Sequence, residues 1–84
     1  MDEISQAVMQ FLSELLPPER LAGLQSNTAL RTSGILDSMG MLRLIALIED
    51  RFGIEVSASE AGVENFDRLQ AIVAFIRRKR AANP

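Results

Sequence analysis

The sequence predicts an all-α fold, a small four-helix bundle of three main helices plus one short helix. Three observations carry that expectation. Apolar residues recur at three- and four-residue spacing in three separate stretches. Proline and glycine punctuate the gaps between them. The 84 residues leave room for a single domain over 1–84, with so little core that every stretch must contribute to it.

The first stretch holds Ile4, Ala7, Val8, Phe11, Leu12, Leu15 and Leu16, one stripe of a helix expected over residues 3–16. Pro17 and Pro18 stop it, because proline cannot extend a helix and restricts the residue before it. Residues 19–37 read as a long connection. Its Leu21, Leu24, Leu30, Ile35 and Leu36 can pack back onto the core. Long loops in compact domains are often functional, and here function is expected only in the last few residues. Gly34 lets the chain turn into a helix over 38–52, and Gly53 is placed to end it. Gly53 to Val56 reads as briefly extended, and one short helical turn is expected within 58–66. Asp67 then caps a last helix over 68–80, with Leu69, Ile72, Val73 and Ile76 as its stripe, helped by Phe75.

Composition narrows the function. A chain that is 48% hydrophobic and 24% charged is an ordinary folded domain rather than a disordered one. All four aromatic residues are Phe, so the core is mainly aliphatic. The absence of cysteine excludes disulfides, a cysteine nucleophile and thiolate metal sites. The absence of histidine removes the commonest general base and metal ligand. An enzyme is therefore the least expected class, and neither a catalytic residue nor a metal site is assigned. Charge interrupts the apolar stretches and the start is acidic, so no membrane span or secretory signal is expected and the cytoplasm is the default location. Arg77, Arg78, Lys79 and Arg80 supply four of the nine basic residues. The first 76 residues carry eleven acids against five bases, a poor surface for nucleic acid. The basic run reads as a solvated last turn that complements the helix dipole.

The 38–52 helix carries more than a core face. At about 100° per residue, Met41, Leu44, Ile45, Ile48 and Phe52 share one arc. Met39, Leu42 and Ala46 share another, bordered by Arg43, Glu49 and Asp50, with Ser38 at its edge. A helix facing a core needs one stripe. The second is either buried centrally or meets a partner. Leu47 falls near neither arc and is expected to cover the loop.

Taken alone, Asp37 or Ser38 is a helix N-cap. A serine hydroxyl at a helix start is also a good place for a phosphodiester, because the free N–H groups there favour an anion. Asp37 would repel that phosphate, and fits better as a ligand for the magnesium or a contact for the enzyme that installs it.

The run Gly34-Ile35-Leu36-Asp37-Ser38-Met39 resembles the G-x-x-D-S-[LMF] signature of acyl and peptidyl carrier proteins. Glu49-Asp50-Arg51-Phe52-Gly53-Ile54-Glu55-Val56 looks like the run that closes the second main helix in that family, and Asn65-Phe66-Asp67 with Leu69 and Ile72 resembles its entry into the last helix. The resemblance implies the acyl carrier protein type of bundle. It implies that Ser38 carries 4′-phosphopantetheine, transferred from coenzyme A by a phosphopantetheinyl transferase that recognises Asp37. The thiol of that arm would hold an acyl or aminoacyl group as a thioester. A non-catalytic carrier of this kind needs an adenylating acyl or aminoacyl ligase to load it and a downstream acyl-accepting or tailoring enzyme to unload it. The expected state is a monomer that binds neither nucleic acid nor membrane.

Fatty-acid carriers usually have a strongly acidic second main helix, whereas here Arg43 stands on the outer face and no acid follows Asp37 in the helix's first half. Met39, Leu42, Arg43 and Ala46 are thus the expected partner surface of an aminoacyl or peptidyl type, similar to discrete carriers of prolyl, pyrrolyl or D-alanyl groups. Nonribosomal-peptide-like secondary-metabolite biosynthesis is the expected setting. The alternatives are a fatty-acid or polyketide carrier and, in a different class, an unmodified helical adaptor that binds a protein through the Met39 patch.

Overall fold

The computed structural model describes residues 3–82, and among these it contains five helices and no strand. They are α1 (Glu3–Leu15), α2 (Pro18–Ala22), α3 (Ser38–Phe52), α4 (Val63–Phe66) and α5 (Leu69–Ala82). The three long helices fall where the apolar periodicity puts them, and α4 lies inside the expected 58–66 window. The expected all-α fold therefore stands, with one addition. Pro17 and Pro18 do more than stop α1, because Pro18 occupies the first turn of α2, where its missing N–H is harmless and its fixed φ suits a helix.

The core is shared by every long element. Val8 and Leu12 of α1, Leu44 and Ile48 of α3, and Ile72 and Ile76 of α5 are fully buried, together with Phe66 of α4. The Phe66 and Phe75 rings meet edge to face, with centroids 5.2 Å apart, a favoured geometry for two aromatic quadrupoles. The connection before α3 adds Leu30 and Leu36, both fully buried, while Leu21, Leu24 and Ile35 are half-buried against the same cluster. Leu15 departs from the expected stripe of α1. It is exposed at the last residue of α1, although Leu12 three residues earlier is fully buried. Leu47 borders Ala7 and Phe11 of α1 rather than covering the loop.

Two glycines hold backbone that other residues resist. Gly34 has φ 86° in the turn before α3, and Gly53 has φ 65° directly after it. Gly53 N donates to Glu49 O at 3.0 Å, closing the helix with a left-handed cap. Residues 54–56 form neither helix nor strand, and Val56 N donates to the Glu49 carboxylate at 2.9 Å.

Asp67 does not cap the last helix. It is the buried charged residue among those described, and its carboxylate turns away from α5 to the connection before α3. There Oδ1 accepts from Arg31 N (2.8 Å) and Thr32 N (2.9 Å), and Oδ2 accepts from Thr32 Oγ1 (2.9 Å). Its carbonyl accepts from Leu30 N, beside an isolated antiparallel bridge between Ala29 and Arg68. The start of α5 is satisfied instead by the backbone, with Gln70 N donating to Ser26 O at 2.9 Å. One side chain thus ties the long connection to the α4–α5 junction, which fixes where the chain enters α3.

Candidate functional site

Asp37, not Ser38, caps α3. Its backbone is extended and its Oδ1 accepts from Gly40 N at 2.7 Å, satisfying one of the orphan donors of the first turn. Ser38 is therefore the first helical residue. Its side chain is exposed, and its Oγ accepts a hydrogen bond from Arg31 Nη2 at 2.9 Å. Nothing in the fold depends on burying this hydroxyl.

Around it the four expected surface residues come together as exposed side chains. Met39 is 60% and Leu42 62% accessible, and Arg43 and Ala46 are also exposed. Met41, Leu44, Ile45 and Ile48 of the other arc are buried, and Phe52 is half-buried. Central burial of the second stripe is thereby excluded. Two large apolar side chains thus stand in water within one turn of an exposed hydroxyl.

Hollows flank the start of α3 on both sides. One, of about 370 Å³, is lined by Arg31, Thr32, Met41, Val63 and Phe66. The other, of about 380 Å³, lies between the end of α1 and α3 and is lined by Leu15, Ile35, Asp37, Met39 and Arg43. Sequence reasoning missed Arg31 and Leu15. Arg31 stands seven residues before Ser38 with only a tertiary clasp to bring it there. Leu15 reads as core by its spacing.

The basic run is spread around α5 rather than gathered into one patch. Lys79 Nζ pairs with Glu60 at 3.2 Å, Arg80 with Glu3 at 3.4 Å, and Arg78 donates to Asn65 Oδ1 at 3.3 Å. Arg78 and Lys79 also lie over the Phe75 ring, and Arg80 over Phe52. Hydrogen bonding from Ser57 N, then Lys79, holds the Glu60 carboxyl below its ordinary range.

The sequence matches the family model described as "Phosphopantetheine attachment site" over residues 3–76. The chain belongs to the phosphopantetheine-binding carrier proteins. It is 34% identical over 76 residues to D-alanyl carrier protein 1 of Lactiplantibacillus plantarum, which spans 90% of this chain and 92% of that protein. It is 31% identical over 74 residues to a D-alanyl carrier protein of Streptococcus suis, 88% of this chain and 91% of the other. A D-alanyl carrier protein of Abiotrophia defectiva is 27% identical over 79 residues, 94% and 99% of the two chains. The carrier's prosthetic group is covalently attached 4′-phosphopantetheine. The residues present fit it. The chain has no thiol of its own, so a thioester needs the arm's. At the start of α3 it offers an exposed hydroxyl that is already hydrogen-bonded to a cation. No helix among the described residues is long and apolar enough to cross a membrane.

Proposed function

We propose that Ser38 is the attachment serine and that this carrier is a discrete aminoacyl carrier loaded by an adenylating ligase. The observation that carries the reading is the exposed Ser38 hydroxyl at the first residue of α3, bordered by exposed Met39 and Leu42. Attachment joins Ser38 Oγ to phosphorus. It releases adenosine 3′,5′-bisphosphate from coenzyme A and passes the hydroxyl proton to a base on the transferase. The attached group supplies the thiol on which cargo rides as a thioester.

The chain's own residues position and present that arm. Asp37 fixes the first turn of α3 through Oδ1, and its charge is the contact offered to the transferase and its magnesium. Met39, Leu42 and Ala46 form the apolar grip for the ligase near the root of the arm, with Arg43 setting partner choice through charge. The aminoacyl reading draws support from the relatives, whose names are those of D-alanyl carriers. It draws further support from α3, which has no acid before Glu49 and an exposed arginine at 43. D-alanine is the first cargo to test. A downstream acceptor then removes the aminoacyl group. The same thioester would serve nonribosomal-peptide-like secondary-metabolite biosynthesis, with a condensing or tailoring enzyme as that acceptor. We take the carrier to act as a cytoplasmic monomer, one domain over residues 1–84.

The test is intact mass. Coenzyme A, magnesium and a transferase should add one group of roughly 340 Da, and Ser38→Ala should gain none. An aminoacyl-adenylating ligase with ATP and D-alanine should then add a hydroxylamine-labile aminoacyl mass to the holo form alone. Wild-type protein left unmodified by several transferases would defeat the reading and favour the unmodified adaptor.

A further inference from the structure

Arg31 reaches Ser38 from outside α3, with Nη2 2.9 Å from Oγ. Its backbone is held separately. Arg31 N donates to Asp67 Oδ1, and Thr32 adds two bonds to the same carboxylate. The fold therefore uses the backbone of this residue and leaves its guanidinium for something else. Among the described residues that guanidinium pairs with no carboxylate, whereas Lys79 and Arg80 each have one. One neutral hydroxyl is a poor match for a permanently charged fork with five donors.

Resting on Ser38 as the attachment serine, we propose that Arg31 is the anion partner of the phosphodiester formed there and holds the root of the arm on its side of α3. A diester places one negative charge and two non-bridging oxygens beside the atom Arg31 already touches. The guanidinium fork matches such a pair of oxygens, and the charge-assisted bond is stronger than the neutral one it replaces. Asp37 adds a second negative charge next to Ser38, which makes a nearby cation more valuable. Arg43 lies with Met39 in the hollow on the α1 side. The two arginines thus divide the work, Arg31 toward the arm and Arg43 toward the protein partner. Because the pair is exposed, salt weakens it.

Holo protein is prepared from wild type, Arg31→Gln, Arg31→Lys and Arg43→Gln, with intact mass read first. If wild type gains no mass, the Ser38 reading falls and this proposal falls with it. With holo protein in hand, phosphorus-31 NMR observes the diester alone. Arg31→Gln should narrow the phosphorus line by about twofold, as a freed arm moves faster, and shift it toward the position of a diester in unfolded holo protein. Arg31→Lys should lie between, and Arg43→Gln should match wild type. Salt should bring wild type toward Arg31→Gln. Should Arg31→Gln fail to fold, the salt titration of wild type decides, and a signal insensitive to salt overturns the proposal. Identical shift and linewidth for wild type and Arg31→Gln at low salt also overturn it, while leaving Ser38 as the attachment serine.

Discussion

Thr32 presents its backbone N–H and its hydroxyl to the two carboxylate oxygens of Asp67, each at 2.9 Å, across 35 residues of chain. With Arg31 N on the same oxygen, this clasp sets the approach of the connection to α3. Asp67→Ala leaves two backbone donors without their partner in a half-buried corner. The expected cost is roughly 2–4 kcal/mol, since each unsatisfied buried donor costs about 1–3 kcal/mol. Urea unfolding measures it, and a loss well below 1 kcal/mol would mean that water replaces the clasp.

The same carboxyl should make stability depend on acid. Hydrogen bonding from Thr32 N holds Asp67 below its ordinary value of 3.8, helped by Thr32 Oγ1, Arg31 N and the charge of Arg68, while burial opposes the shift. A folded-state value below the unfolded one means stability that is fully present above the unfolded value. It is lost as pH falls through the folded value. Asp67→Asn lacks this contribution. Wild type should therefore exceed Asp67→Asn in unfolding free energy at pH 7, and the gap should close only below the ordinary carboxylate range. A gap independent of pH would remove the carboxylate from the account.

Capping and transferase recognition can be separated at the start of α3. Asp37→Ala removes the bond to Gly40 N and should cost about 1 kcal/mol. Ser38→Ala should cost less, because Ser38 lies inside the helix and its bond to Arg31 is exposed. Asp37→Asn keeps a good N-cap without the charge. Its thermal melt should match wild type, while transferase modification slows by about tenfold or more if the charge makes the contact. Equal modification rates for Asp37→Asn and wild type would leave Asp37 a cap and nothing else.

How much of this was legible follows from what is local. Helices α1, α3 and α5 show in the sequence because each carries a stripe long enough to reveal its period, and Gly53 because a left-handed cap has a residue preference of its own. The two arcs of α3 are likewise a property of one helix, so Met39 and Leu42 could be separated from Met41 and Leu44 before any neighbour was known. The five-residue α2 is too short to show a period, and Pro18 reads equally well as a stop or a start. Asp67 fits the pattern of a cap for α5, yet tertiary contact turned it toward Thr32. Arg31 depends on that clasp, so no spacing rule could bring it to Ser38. Leu15 has the spacing of core, yet it stays exposed on the wall of the hollow between the end of α1 and α3.

The exposed arc of α3 yields the most direct functional prediction. If a ligase loads this carrier, as proposed, it must hold the protein close to the root of the arm, because the arm has a fixed length with which to enter an active site. Met39 and Leu42 are the large apolar side chains left in water on that helix, and apolar anchors usually dominate such contacts. Leu42→Asp should cut thioester loading by about tenfold or more, with little change in helicity or transferase modification, because position 42 contributes nothing to the core. Arg43→Glu reverses a charge on the same face and should change which ligase loads the carrier, leaving the melting temperature near that of wild type. Loading rates of both holo variants with the same ligase, followed by intact mass over time, measure the two effects. If both load like wild type, the grip lies elsewhere, and Leu15 or Val63, each exposed beside one of the flanking hollows, becomes the side chain to change next.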